Sequence, residues 1–406
     1  MLSDIRIVEI EPIFKKEKFR TPLKFGTGHI EEITSVVVRA KVENRKGRVA
    51  EGWGNILLSD LWAFPSEKVA HEERDKAMQQ LTAEFCRRMA TSKKYGHPVD
   101  LYLEAKSELL NLAGEISKKL NLAEPLPVLA ALVCGSPVDA ALHDGFGQVN
   151  EIETYAGYGP EFMEHDLSRY LGKEFKGKFI ADFIKKEYTR NLPVFHLVGG
   201  MDKLLRSEVD ETDPQDGLPV SLEEWIDKEG IFCFKVKLTG KDIAADVERT
   251  KAVADVASQG RDKFYLSIDP NEMCSSPEVV IEYLYKLREV SPLAFENLLY
   301  IEQPTERELG AHHFDMAQLA KLKPVLADEG ITDVDTFQLA RKLNWSGVAL
   351  KTCKGHSAAL LYVALCQRYN MIYSVQDLTN PGLSLIQSVG LAARIEPVMG
   401  VEYNSR

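Results

Sequence analysis

From about residue 193 onward, short apolar runs alternate with helical stretches eight times. The runs are Pro193–Val198, Phe232–Leu238, Phe264–Asp269, Leu298–Glu302, Pro324–Asp328, Val348–Lys351, Met371–Asp377 and Val398–Glu402. The intervening stretches carry helix punctuation. Ser276-Pro277 supplies an N-cap with proline at the first helical position. Val280, Tyr283, Leu284 and Leu287 then form one apolar stripe, and Gly260 stops the helical pattern over Lys241–Ser258. Eight strands alternating with helices predict an α/β fold, a (β/α) barrel of the TIM type.

The earlier residues follow another plan. Strand patterns over Ile5–Phe14, Thr34–Val42 and Arg48–Gly52 come first, and Asn44-Arg45-Lys46-Gly47 reads as a hairpin turn between the last two. Helical patterns follow over Ser66–Ala90, Val99–Leu120 and Val128–Gly145. Strands followed by helices predict a separate α+β domain over residues 1–150, with 151–406 forming the barrel domain. At 45% hydrophobic and 27% charged residues, the chain can bury a normal core. A net charge of −11 with no long basic run argues against nucleic acid and for a small-molecule partner. The N-terminus MLSDIRIVEIEPIF has no continuous apolar stretch, and the most apolar run, Leu126–Gly135, is too short to span a bilayer. Six scattered cysteines without a metal-finger or C-x-x-C spacing read as reduced thiols of a cytoplasmic protein.

Side chains alternate across a strand, so each run has two faces. In FCFKVKL, Phe232, Phe234, Val236 and Leu238 share one face and Cys233, Lys235 and Lys237 the other. An exposed edge strand would also read this way, but the pattern recurs. Tyr265, Ser267 and Asp269 oppose Phe264, Leu266 and Ile268; Glu302 opposes Leu299 and Ile301; Asp328 opposes Val325 and Ala327; Lys351 opposes Val348 and Leu350. The last two runs bring Asp377 and Glu402. With the apolar face packed under helices, these ionisable groups point into the lumen near the C-terminal strand ends. That is where barrel enzymes hold their active sites.

Asp269, Glu302 and Asp328 come from three consecutive strands. Three carboxylates without a neighbouring cysteine or histidine suit a hard cation, with Mg²⁺ the natural choice. Salt bridges to lysines are the alternative reading of each acid. Lys237 and Lys351 belong to the second and sixth strands, which lie across a closed barrel from each other. Two amines facing over a metal-bound substrate suit proton removal from one face of a carbon and delivery to the other. The charge of Lys235 should make Lys237 a better base near neutral pH. Loss of a proton α to a carboxylate creates a dianionic enediolate, which needs a metal and cationic neighbours.

The set KVK (235–237), SIDPN (267–271), IEQP (301–304), ADE (327–329) and LKTCKG (350–355) resembles, in order and spacing, the enolase superfamily. It is most similar to the muconate-lactonizing subgroup of the mandelate racemase and muconate lactonizing enzymes, which carries lysines on the second and sixth strands. The resemblance implies Asp269, Glu302 and Asp328 as Mg²⁺ ligands and Lys237 and Lys351 as the acid/base pair. Lys235 and Asn271 would position the substrate carboxylate or the metal shell, and Glu329 would stand outside the first shell. The opening strands resemble the capping domain, and Pro22–His29 and EGWG (51–54) resemble its two specificity loops. The seventh strand, IYSVQDLTNPG, offers Asp377 where the mandelate-racemase subgroup has a histidine, which disfavours that subgroup. Relatives continue from the eighth strand back toward the capping domain, whereas Arg406 follows that strand almost directly.

Asp377, Glu402 and His196 are further candidate substrate contacts at the rim, with a hydrogen-bonded core histidine as the other reading of His196. Trp53 is expected at the domain interface. The function expected is Mg²⁺-dependent abstraction of the proton α to the carboxylate of a small-molecule substrate, in a racemase/epimerase or a cycloisomerase. A dehydratase of a sugar acid or hydroxy acid is the alternative, and a non-catalytic ligand-binding barrel the second. No membrane partner is expected, and a homo-oligomer is expected by analogy with such folds.

Overall fold

In the computed structural model the described residues are 1–404, apart from 26–27, 261–262 and 377–380. Asp377 therefore lies outside the described residues. The repeating half forms eight strands: β4 (Val194–Val198), β5 (Cys233–Lys237), β6 (Tyr265–Asp269), β7 (Leu298–Glu302), β8 (Val325–Ala327), β9 (Gly347–Lys351), β10 (Ile372–Gln376) and β11 (Val401–Tyr403). Every neighbouring pair is parallel, in the order β10-β9-β8-β7-β6-β5-β4-β11. At the seam the Val398 N–H donates to the Tyr373 carbonyl at 2.9 Å, bringing the last strand against β10. The sheet is thus a nearly closed, modified TIM barrel.

The predicted alternation sorts the side chains. Phe234, Val236, Leu266, Ile268, Ile301, Val325, Ala327, Val348 and Leu350 join the core beneath the helices. Phe195, Cys233, Tyr300 and Leu326 fill the base of the lumen instead. Leu299 departs from its expected outward position and packs against this inner group. The cause is a shift in register: Leu266 pairs Leu298 but Ser267 pairs Tyr300, so one extra residue turns the strand locally.

Helices of eight residues or more are α1 (His71–Thr91), α2 (Pro98–Lys119), α3 (Val128–Asn150), α4 (Leu222–Glu229), α5 (Ile243–Ser258), α6 (Pro277–Val290), α7 (Val334–Lys342), α8 (His356–Tyr369) and α9 (Leu383–Arg394). The stripe foreseen on α6 is buried as Val280, Tyr283, Leu284 and Leu287. The cap is an antiparallel sheet of β1 (Ile5–Phe25), β2 (Gly28–Asn44) and β3 (Val49–Leu57), covered by α1–α3. β1 and β2 extend well past the predicted strands as one long hairpin, with pairing resumed at Leu23↔Ile30 after a register shift. Within the stretch expected to form a loop, Leu23, Lys24 and Phe25 pair with Ile30, His29 and Gly28.

The EGWG motif has a packing explanation here. A Cβ on Gly52 would stand 2.1 Å from the Ala141 carbonyl oxygen, and one on Gly54 2.0 Å from that of Pro137. The glycines let α3 lie directly on β3. Trp53, between them, is exposed and lines a cleft between cap and barrel. All six cysteines are buried. Among the described residues, no helix is long and apolar enough to cross a membrane.

Candidate active site

The lumen-facing ends of β5 to β9 converge as charged groups out of water. Lys235 is 1% exposed, Glu302 0%, and Asp269 and Asp328 1% each. Burying such charges is costly unless each is paired. The Lys235 ammonium donates to Glu302 Oε1 at 2.6 Å and Glu402 Oε2 at 2.9 Å, and lies 3.1 Å from Asp269 Oδ2. Lys237 also donates to Asp269 Oδ2. On the other side, Lys351 Nζ stands 2.7 Å from Asp328 Oδ2, and Lys354 Nζ 2.9 Å from Asp328 Oδ1. In the strand order β5 and β9 are separated by three strands either way, so Lys237 and Lys351 arise from opposite walls.

The protonation landscape follows from these pairs. Burial pushes the Glu302 carboxyl up to about 7; Lys235 pulls it down, and nearby Asp269 and Asp328 push it up again. Burial would also raise Asp269, but Lys237 and Lys235 outweigh it and hold that acid at about 2. Asp328 goes the same way, its burial overcome by Lys351 and Lys354. Burial works against the Lys351 ammonium, and Asp328 more than offsets it, so this lysine keeps its proton. Lys235 is itself fully engaged by three carboxylates.

The donor set bears on a metal. Three buried carboxylates with no sulfur or imidazole suit a hard divalent ion. Two of them, Asp269 and Glu302, already share one cation, the Lys235 ammonium. Among the described residues, however, no three His, Cys, Asp or Glu side chains form a group able to hold a metal as they stand. The lysines stand between the acids. The residues fit such an ion chemically, and the ammonium groups occupy the positive role in this arrangement.

Asn271 has a left-handed backbone at φ +46° and supports Asp269, its N–H donating to Oδ1 at 2.8 Å. Glu402 is placed on Lys235. His196 lies elsewhere. Leu197 is in register with Lys235, so His196 takes the opposite face of β4 and packs on Trp225 with ring centroids 5.6 Å apart. It lines a cavity of ≈ 550 Å³ with Arg20, Met201 and Asn404, outside the lysine–carboxylate group.

Several residues at the site were not singled out from sequence. Gln376 donates to Glu302 and stands 3.4 Å from Lys235 Nζ. Gln303 Oε1 accepts the N–H of Asp328 at 2.7 Å, fixing the end of β8. Lys354 also donates to the Asp328 carbonyl at 2.5 Å. From the cap, Trp62 donates its indole N–H to Glu329 Oε1 at 2.7 Å and lays its ring 4.7 Å from Lys351 Nζ. Burial, with the charges of Asp328, Glu272 and Asp269, pushes Glu329 up to about 8. The Trp62 carbonyl accepts from Arg307 at 3.1 Å, and Arg307 is paired with Glu272. The seventh-strand Gln and the second lysine of LKTCKG were readable as lumen-side polar residues. Trp62 carried no signal, because its approach depends on how the cap sits.

Comparison with known proteins agrees with this architecture. Residues 218–405 match the family "Enolase C-terminal domain-like". No curated protein matches the chain by sequence. The L-Ala-D/L-Glu epimerase of Bacillus subtilis is similar in structure at TM-score 0.64 and 17% identity, over 98% of this chain and 89% of that one. A muconate lactonizing enzyme from Mycobacterium smegmatis gives 0.65 and 16%, over 98% and 87%. A dipeptide epimerase from Cytophaga hutchinsonii, complexed with Mg and a dipeptide, gives 0.59 and 19%, over 98% and 87%. At such identities these likenesses speak to the fold, and the family match speaks to the barrel. The barrel region 218–405 thus matches the enolase C-terminal-domain-like family, and the chain shares its overall fold with these epimerases and the muconate lactonizing enzyme.

Proposed function

We propose that the chain is a Mg²⁺-dependent isomerase of the muconate-lactonizing type, abstracting the proton α to a substrate carboxylate. The observation that carries this is the pairing of Lys237 with Asp269 and of Lys351 with Asp328, from opposite walls of one lumen. Asp269, Glu302 and Asp328 would hold the ion, which would stabilise the negative charge developing on the substrate carboxylate. With an ion held there, those acids would no longer pair the lysines, and each amine would be available to the substrate. Lys237, the more accessible amine at 11% side-chain exposure, takes or returns a proton on one face of the α-carbon. Lys351, under Trp62, serves the other. Lys235 and Asn271 keep Asp269 in place, and Gln376 and Lys235 do the same for Glu302. Racemisation or epimerisation suits two facing amines, and cycloisomerisation shares the same first step.

The test is solvent deuterium exchange at the α-carbon across N-acyl amino acids, dipeptides and sugar acids, with and without Mg²⁺. Exchange that needs the ion and both lysines is the expected result. A chain that binds no Mg²⁺ by calorimetry and washes no deuterium into any of these acids would instead be a ligand-binding barrel.

A further inference from the structure

The three acids assigned to the ion stand at three strand ends, and one neutral residue binds all three ends. Gln303 follows Glu302 directly, is 0% exposed, and has a left-handed backbone at φ +29°. A residue other than glycine rarely holds that conformation unless its surroundings enforce it. Here they do. Its N–H donates to the Leu326 carbonyl on β8 at 2.9 Å, and its carbonyl accepts the N–H of Glu272, just past β6, at 2.9 Å. Its side-chain Oε1 accepts the N–H groups of Asp328 at 2.7 Å and Gly330 at 3.2 Å, and its Nε2 donates to the Thr305 carbonyl at 2.9 Å. The ends of β6, β7 and β8 are thus tied together through a single residue.

Asp328 is gripped on its other side as well. Its carbonyl accepts the Ile331 N–H at 2.9 Å and the Lys354 ammonium at 2.5 Å. All of these contacts to the three ends are made on main chain. The carboxylates of Asp269, Glu302 and Asp328 keep their own freedom to turn from the lysines to another cation. Asp328 Oδ1 is buried and lies 2.9 Å from Lys354 Nζ, yet accepts no hydrogen bond from a described residue. Such an oxygen still has lone pairs to give.

We propose that Gln303 is the positioning residue of the metal centre, setting the spacing of β6, β7 and β8 so that Asp269, Glu302 and Asp328 can close on one Mg²⁺. The proposal rests on the assignment of those acids to the ion. Gln303 acts through the main chain of the ends that carry them.

The test is calorimetric titration of Mg²⁺ into wild type, Gln303→Met, Gln303→Asn and Gln303→Glu, with melting curves taken without the ion. Methionine removes the amide. Asparagine keeps it but is one carbon too short to reach the Asp328 N–H. Glutamate keeps an oxygen that can accept both N–H groups. Gln303→Met and Gln303→Asn should bind Mg²⁺ roughly ten- to a hundredfold more weakly, the usual scale for residues that orient metal ligands. Gln303→Glu should bind at least as tightly as wild type, whatever it loses in melting temperature. In α-proton exchange the loss should appear as a higher Mg²⁺ requirement rather than in KM for the acid. A residue that merely props the fold would lower every melting temperature and leave the affinity of the folded protein unchanged. Wild-type affinity in folded Gln303→Met therefore overturns the proposal, and if that variant does not fold, Gln303→Asn decides by the same measure. A glutamate variant as weak as the methionine one would mean that the hydrogen bonds are not what counts, and would also overturn it. A wild type that binds no Mg²⁺ removes the metal assignment and this proposal together, whereas tight binding by wild type and by Gln303→Met alike removes the proposal alone.

Discussion

Two of the buried polar clusters solve the cost of burial in opposite ways. At the barrel mouth, Lys235, Lys237, Lys351 and Lys354 are set against Asp269, Glu302, Asp328 and Glu402. At the seam between cap and barrel, the groups are histidines and hydroxyls. Asp139, on α3, accepts the Ser357 N–H at 2.8 Å and its hydroxyl at 2.7 Å. His143 Nε2 lies 2.9 Å from the same hydroxyl, and the Tyr158 hydroxyl joins His143 Nδ1 at 2.8 Å to His356 Nε2 at 3.1 Å. His97 closes the group, with Nε2 3.2 Å from the Gly157 carbonyl. Ser357 and His356 open α8, so this network fastens α3 of the cap to the barrel. The seam is held by hydrogen bonds between groups of the two layers. The mouth is held by ion pairs that an incoming cation or anion can exchange. One cluster is built to stay and the other to be rearranged, and that separates architecture from chemistry here.

If that division holds, changes at the mouth should cost activity and spare the fold. Lys237→Ala should lower α-proton exchange by about a thousandfold, the usual scale for removing a general base, with the thermal midpoint little changed. The check is deuterium wash-in beside a melting curve. An unfolded variant would place Lys237 among the structural residues instead.

The seam should respond to acid. Burial pushes His97 down to about 3, with His143 adding to the effect, and burial holds His356 well below its ordinary value. A folded-state value below the unfolded one means the unfolded chain takes up a proton that the folded chain refuses. Stability is then complete above about pH 6.5 and falls as pH drops toward 3. For His97 alone the loss from pH 7.5 to pH 5 is about 2 kcal/mol. Denaturant unfolding at the two pH values measures it, and His97→Gln should flatten the slope by that amount. An unchanged slope would mean that His97 titrates normally. Tyr158→Phe is a smaller version of the same test. It strips two buried imidazole nitrogens of their shared partner, and should cost about 1.5 kcal/mol of stability while leaving kcat within a few-fold.

The two clusters differed in how far sequence could find them. Lys237, Asp269, Glu302, Asp328 and Lys351 were legible because a strand repeats every two residues, so a polar residue opposite an apolar set must face the lumen. β7 broke that rule at Leu299, where an extra residue shifts the register and local pattern cannot reveal the shift. His196 sits apart from the lysine–carboxylate group for a related reason: its parity with Leu197 puts it on the outer face of β4. None of the seam could be assembled in advance. Asp139 and Ser357 lie 218 positions apart, and only the docking of two helices brings them together. EGWG was likened to a specificity loop by resemblance alone, whereas its two glycines make room for a helix.

Trp62 belongs to both regions, since it comes from the cap and ends at the mouth. Trp62→Phe keeps an aromatic ring over Lys351 and removes the N–H that Glu329 accepts. Glu329 Oε2 already has no hydrogen-bond partner, so the variant leaves that buried carboxyl with neither oxygen served by this indole. One lost hydrogen bond of this kind is worth about 1 kcal/mol, or roughly fivefold in kcat/KM if it acts on catalysis. Should the loss appear in kcat/KM with the melting temperature preserved, Trp62 is part of the chemistry and the cap contributes a wall to the site. Should it appear only in stability, Trp62 joins the seam, and the boundary between the two clusters runs between the indole and Lys351.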